Sequence, residues 1–533
     1  MAREQLELVV IGAGINGAGI ARDAAMRGIR TAVIDKADFG SGASGKSSRL
    51  IHGGLRYLEM GDLHLVFEAS RERRALLKIA PHLVWPRSFI FPVHAGTRVP
   101  RWKLTAGLWL YDILSLFRNV KRHKTLSKRE LLRAEPNIRQ SDLKGGARYY
   151  DAQCDDSRLV LANVRSAHRY GALAANYVAM SEFEIADGAI QGIRVTDQSS
   201  REQYVIRARI VVNATGAWSD RLRAVIRGEP TLRLTKGAHV AVPRERLGNR
   251  EAITMTSPID GRVMFILPWG ELSYIGTTDT DADTDPGEAR ASPDDVVYLL
   301  RSANAMFPNA RLQPEDVISS WAGLRPLLRP DDPRDPSSVS REHRVIEDPM
   351  GLISIVGGKL TTYRKMASEV VDQVARRLTR LDGKKRPKKA RTSTEPLPGG
   401  ESGDLGVLIR DLKRNGYSAS VAQNLVRRYG TESAAVTRLA QSHPELAQPI
   451  VRGHPSLRAE LIFACQREMA LSLPDLLVRR THVFYEAKGH GIEQAEQVAS
   501  LVADELSWNE DEKGRQVASY VADVHRCFAF KRQ

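Results

Sequence analysis

Three glycines and one aspartate near the start of the chain stand at spacings that suit a dinucleotide. In LELVVIGAGINGAGIARDAAMRGIRTAVID, residues 6–35, Gly12 permits a tight turn, Gly14 lets the backbone approach a pyrophosphate, and Gly17 lets a helix lie close to the strand before it. Ile15 and Asn16 open that helix, whose unpaired N–H groups and partial positive charge favour phosphate. Asp35 follows Gly12 by 23 positions, where a carboxylate accepts hydrogen bonds from ribose hydroxyls, and Lys36 stands beside it. The glycine pattern alone is weak. The apolar run Leu6–Ile11 before it, the helix period through Met26, the stop at Gly28 and the second strand Thr31–Ile34 make it a dinucleotide site.

Small and hydroxyl residues recur further on. Residues 39–48 read FGSGASGKSS, in which Ser44, Ser47 and Ser48 donate hydrogen bonds while the glycines let the chain wrap closely around a cofactor. A flexible linker has similar composition, but this stretch feeds directly into RLIHGGLRYL, with Gly53, Gly54, Arg56 and Tyr57. A buried strand at Ala208–Asn213 ends in ATGAWS, carrying Thr215, Gly216 and Trp218. An ordinary strand-to-helix turn would read the same way. Another strand, Leu352–Val356, ends in GGKLTT, where Gly357, Gly358, Lys359, Leu360 and Thr361 precede a helix-period run; such a helix start suits an anion. Arginines crowd residues 325–344, most of them reading as solvated surface, but Arg325 follows the apolar Ile318–Trp321 in a tight AGLRP context and reads as a positioned guanidinium.

These residues must be held by alternating strands and helices. A helix is expected over Leu159–Tyr170 and a hairpin over Gln191–Ile210, its turn at QSSR. Strands at Ala238–Val242, Val263–Pro268 and Leu272–Thr277 predict an antiparallel sheet. Residues 96–124 contain a 14-residue apolar stretch, too short to span a bilayer, with basic flanks that suit either a membrane interface or a buried helix. Residues 381–403, with basic residues from Lys384 to Arg391 and then Pro and Gly, read as a surface linker. Beyond it the pattern is mostly helical and shows no catalytic grouping.

The totals narrow the class. A chain of 533 residues with 42% hydrophobic and 27% charged residues is an ordinary globular protein of several domains. Its three cysteines form no CxxC pair or metal set, the pattern of a reducing compartment. The first strand starts within about five residues of Met1, leaving no room for a signal peptide. The net charge of +16 fits an anionic substrate, an anionic membrane surface or nucleic acid.

The runs IGAGINGAGIARDAA and SSRLIHGGLRYLE, followed in order by DDSRLVLAN, VVNATGAW, KGAHV, IGTTDTD, AGLRPL and GGKLTTYR, resemble the FAD-dependent, respiratory, quinone-linked glycerol-3-phosphate dehydrogenases. The C-terminal third resembles the family more loosely. The resemblance implies FAD as cofactor, sn-glycerol 3-phosphate as substrate, dihydroxyacetone phosphate as product and a quinone as acceptor. It also implies a homodimer in the cytoplasm, peripheral on the inner face of the cell membrane. With residue chemistry, it makes His239, Arg325 and Lys359 the catalytic candidates: His239 as base, because its ordinary pKa suits proton transfer near neutrality, and Lys359 near substrate oxygen or the flavin N1/O2 edge. Arg56 and Arg325, with Arg341 as a third, suit the substrate phosphate, and Tyr57 suits substrate.

The fold expected is α/β. A two-dinucleotide-binding FAD domain, Rossmann-like and of the glutathione-reductase type, takes 1–80, 150–225 and 350–380. An antiparallel β-sheet substrate domain takes 81–149 and 226–349, and a C-terminal α-helical domain takes 404–533. Other readings are an oxygen-reducing glycerol-3-phosphate oxidase, a basic FAD-dependent tRNA-modifying protein, and a membrane-surface scaffold. Clustered aromatics for base stacking are absent, so no nucleic acid is expected.

Overall fold

The computed structural model describes residues 1, 5–53, 62–96, 99–114, 120–329, 343–385 and 389–532. Gly54, Arg56, Tyr57 and Arg341 lie outside the described residues, as do parts of 96–124 and of the basic tract at 384–391.

Leu6–Ile11 lies inside a sheet whose strands run in the order His343–Glu347, Ile353–Gly357, Gln203–Asn213, Leu6–Ile11, Thr31–Ile34 and Leu173–Ala175. Neighbours along this path are parallel except at the His343–Glu347 edge. The first strand is apolar throughout because both of its faces are covered. Leu8 and Val10 pack with residues of the helices Ile15–Met26, Asp156–Arg169 and Tyr363–Asp382. Leu6, Val9 and Ile11 pack against an antiparallel meander that includes Phe183, Ile190 and Ile193. Gln203–Asn213 serves both layers: Gln203 to Arg207 pair antiparallel with the strand Ala189–Asp197, and Ala208 to Asn213 pair parallel with Leu6–Ile11. The predicted hairpin and the predicted returning strand are therefore one continuous element.

A second sheet runs Thr280–Asp281, Leu232–Pro243, Leu272–Gly276, Val263–Trp269, Ala252–Thr256, Val84–His94, Leu143–Cys154 and Leu50–Ile51, with Ser319–Leu328 also paired to Leu232–Pro243. It is antiparallel as expected except where Ala252–Thr256 runs parallel to Val84–His94. Those two strands are joined by a long excursion rather than a hairpin, so local turn signals could not set their direction.

The apolar stretch forms the helix Arg101–Leu114. Leu104, Leu108 and Tyr111 are buried, whereas Trp102 is 72% exposed and Trp109 and Ile113 are each 51% exposed. Asp112, within this helix, is buried and lies 2.7 Å from His123 Nδ1. No helix among the described residues is long and apolar enough to cross a membrane.

The surface-linker reading of 381–403 fails at Thr392 and over residues 397–400, which are buried. Leu397 is fully buried, and its N–H donates to the Ile79 carbonyl. The buried Arg22 guanidinium donates to the carbonyls of Thr392 and Glu395. An arginine inside the first helix needs acceptors, and this strap supplies them. The C-terminal helices, from Leu405–Arg414 to Glu510–Cys527, are tied to the nucleotide sheet by buried ion pairs. Arg480 meets Asp38 at 2.7 Å and Arg158 meets Glu468 at 2.6 Å.

Candidate active site

The ends of the parallel strands and the face of the second sheet enclose a cavity of about 1300 Å³. Gly12 turns with φ +94°, and a Cβ there would stand 2.8 Å from the Ala214 carbonyl oxygen. Asp35 accepts N–H bonds from Ala13 at 2.7 Å and Ala37 at 3.0 Å. Burial nevertheless pushes its carboxyl up to about 6. It clamps the glycine turn. The Lys36 ammonium sits 4.2 Å from the centre of the Trp218 ring.

Gly12, Gly14, Ile15, Asn16, Asp35, Lys36, Ser44, Ser47, Ser48, Thr215, Gly216, Trp218, Gly357, Gly358 and Leu360 all border this cavity, together with His239, Arg325 and Lys359. Gly17, Gly53 and Thr361 do not line its wall. A Cβ on Gly17 would come within 1.8 Å of the Gly12 carbonyl oxygen, and one on Gly53 within 2.0 Å of the Tyr111 hydroxyl; these glycines act through close packing. Thr361 is buried in the short turn Leu360–Thr362.

The serine hydroxyls expected to face a cofactor have protein partners. Ser44 Oγ accepts the Ile15 N–H at 2.9 Å, and the Ser47 hydroxyl donates to Asp156 at 2.7 Å. Ser48 Oγ lies 2.8 Å from His239 Nε2. In the same wall, Asn16 Oδ1 and Trp218 Nε1 are buried without a hydrogen-bond partner. Buried polar atoms are rarely left so, and a dinucleotide in the cavity fits these two and the glycine cradle.

Strand register builds the other end. His239 stands opposite Trp321 on one side and Gly276 on the other, while Arg325 stands opposite Thr235 on the same strand as His239. The His239 ring is 4% exposed and stacks on Trp321, with centroids 5.1 Å apart and planes 7° apart. Burial first, then the charges of Arg325 and Arg49, push its pKa down to about 3. Arg325 is half-buried and donates to Asp279 Oδ1 at 3.0 Å and Thr277 Oγ1 at 2.8 Å. Lys359 caps the turn that opens the helix after Gly357-Gly358. The cavity therefore brings together a neutral imidazole, a fixed guanidinium and a lysine beside the dinucleotide cradle.

Sequence reading passed over Arg49. Its guanidinium is buried among the rings of Trp269, Tyr274, Trp321 and Tyr485, at 4.6, 5.1, 5.5 and 4.8 Å from their centres. Tyr485 comes from the C-terminal helical part, which showed no catalytic grouping in sequence. The cavity lining also includes the apolar side chains Phe89, Phe91, Phe265, Val99, Leu104 and Leu110.

The family model of FAD dependent oxidoreductases matches residues 7–363, and that of the C-terminal domain of alpha-glycerophosphate oxidase matches residues 390–513. The chain is 35% identical to the aerobic glycerol-3-phosphate dehydrogenase of Staphylococcus haemolyticus, over 95% of this chain and 91% of that protein. The chain belongs to the FAD-dependent glycerol-3-phosphate dehydrogenase family. It is also 36% identical to the glycerol-3-phosphate dehydrogenase of Synechocystis sp., over 96% of this chain and 95% of that one. The crystal structure of the glycerol-3-phosphate dehydrogenase from Bacillus halodurans complexed with FAD superposes with a TM-score of 0.82 at 32% identity, covering 99% of this chain and 96% of that one. FAD is thus the dinucleotide, and the α/β fold is that of the FAD-dependent oxidoreductases with a helical C-terminal part. In this family FAD supplies a hydride acceptor; the chain's own groups must bind the substrate and handle its proton.

Proposed function

We propose that the chain oxidises sn-glycerol 3-phosphate to dihydroxyacetone phosphate and passes the electrons to a quinone. The observation that carries this reading is the placing of His239 and Arg325 on paired strands, facing the cavity that holds the glycine cradle. His239 takes the proton of the substrate hydroxyl. Arg325 binds the phosphate, with Arg56 and Arg341 as further cations outside the described residues, and Lys359 contacts substrate oxygen or the flavin edge. The pKa of His239, pushed down to about 3, keeps the free ring neutral but makes it a weak base, unlike the ordinary imidazole expected from sequence. A phosphate dianion on Arg325 offsets the guanidinium charge, so substrate binding itself raises the basicity of the ring.

The apolar side chains of the cavity lining support a lipophilic acceptor. Of these, Leu104 and Leu110 belong to the helix whose Trp102, Trp109 and Ile113 are exposed. Arg101 and Lys103 on that helix, and Lys121 and Arg122 after it, suit an anionic lipid surface. An oxidase reading draws on the C-terminal model, which is named for an oxidase.

Anaerobic addition of sn-glycerol 3-phosphate to the holoenzyme is the test. Bleaching of the yellow flavin is expected, and an unchanged spectrum removes the proposal. Reoxidation by a quinone without hydrogen peroxide in air is the expected second result; stoichiometric peroxide with no quinone reduction replaces the quinone by oxygen.

A further inference from the structure

Ser48 sits beside His239 in the cavity wall. Its Oγ lies 2.8 Å from His239 Nε2, and both residues border the cavity. The other ring nitrogen, Nδ1, is buried and has no hydrogen-bond partner. One ring face is covered by Trp321, and the Cδ2 edge lies so close to Gly276 that a Cβ there would be 2.1 Å away. Ser48 thus occupies the nitrogen of this imidazole that is not buried without a partner, and a proton reaching Nε2 meets its hydroxyl.

Displacement is opposed on both sides of Ser48. Before it, the Ser47 N–H and hydroxyl both donate to Asp156, at 3.0 and 2.7 Å, and the Ser47 carbonyl accepts the Trp321 indole N–H at 3.2 Å. After it, Arg49 holds a left-handed φ of +53°, and its guanidinium is enclosed by four aromatic rings. A non-glycine residue in that conformation persists only where its surroundings determine it. The same Trp321 contacts all of this: it stacks on His239, donates to Ser47 and lies against Arg49.

We infer, resting on the reading of His239 as the base, that Ser48 is a proton relay. Its hydroxyl accepts the proton of the substrate alcohol while donating its own to His239 Nε2. A serine hydroxyl does both at once, with one donor and two lone pairs. The resting ring then carries its hydrogen on Nδ1 and accepts from Ser48 at Nε2. Atoms and charge balance: the alcohol loses a proton to Ser48 and a hydride to the flavin and becomes a ketone, Ser48 ends neutral, and the imidazole gains one proton.

The test is anaerobic rapid mixing of holoenzyme with sn-glycerol 3-phosphate, comparing the parent with S48A, S48T and H239A. S48A is expected to slow flavin reduction about 10²-fold, a usual worth for positioned proton transfer, while its substrate dissociation constant and bound-FAD spectrum stay unchanged. S48T is expected to restore most of the rate. In mixtures of light and heavy water, the parent rate should bow with deuterium fraction, as for two protons in flight, and the S48A rate should fall linearly. Parent-rate reduction in S48A with slow reduction in H239A overturns the relay and leaves the base. Parent-rate reduction in both overturns the base reading too. Equal slowing in S48A and S48T with a linear response in the parent also overturns the relay.

Discussion

At the scale of single residues, the most consequential pair is His239 and Arg325. A cation near an imidazole disfavours its protonation, and here burial adds to that effect, so that the free ring titrates at about 3. Arg325→Met should therefore raise the pKa of His239 and move the acid limb of the flavin-reduction rate to higher pH, as a pH series by rapid mixing would show. The same variant should weaken substrate binding by about 1.5–3 kcal/mol, the worth of a hydrogen bond to a charged group, measured as the dissociation constant in the same experiment. Unchanged binding would place the phosphate elsewhere. Both residues were legible in sequence because each sits in a distinctive run, KGAHV and AGLRPL. The Arg49 enclosure was not, because its four rings come from separate strands and from the C-terminal part, and only strand register brings them together.

At the scale of elements, the first helix is held by the absence of side chains. Gly17→Ala would force a Cβ into the Gly12 carbonyl oxygen, 1.8 Å away, so the helix must shift. Overpacking of this kind costs about 1–3 kcal/mol, and here the displaced turn is also the cofactor cradle. The variant should purify with less FAD per chain, read from the ratio of flavin to protein absorbance, and should melt lower. The helix Arg101–Leu114 carries a separable prediction: Trp109→Ser with Ile113→Ser should reduce co-sedimentation with anionic vesicles while leaving flavin bleaching by sn-glycerol 3-phosphate intact. Equal sedimentation would make its exposed face irrelevant to lipid. The helix and most strands were readable from apolar period and run length. Strand order and the burial of residues 397–400 were not, since nothing local in a Pro- and Gly-rich stretch announces that an arginine in the first helix needs the carbonyls just before it.

At the scale of the molecule, the C-terminal helices are locked to the loop after the second strand by Asp38, which is buried with Arg479 and Arg480 against it. The two guanidiniums outweigh burial and hold its carboxyl below the ordinary carboxylate range. A depressed carboxyl stabilises the fold at neutral pH, and that contribution is lost as pH falls from the ordinary carboxylate range through the lowered folded-state value. Asp38→Asn leaves two buried cations short of a partner and should cost about 3–5 kcal/mol, seen in chemical denaturation near neutral pH. The loss should shrink in acid, where the parent Asp38 is itself protonated. The sequence marked this region as a separate helical unit; the lock was invisible because its members are far apart in the chain.

The place of Leu6–Ile11 in its sheet bears on how the protein is made. The strand is synthesised well before its neighbour Gln203–Asn213, the last strand of the meander, and Ile353–Gly357 comes later still. Until then the nascent chain carries an apolar strand with an open edge, the kind of surface that chaperones shield and other chains capture. FAD meets a finished cradle only late in synthesis, and Asp38 waits longer still for Arg479 and Arg480.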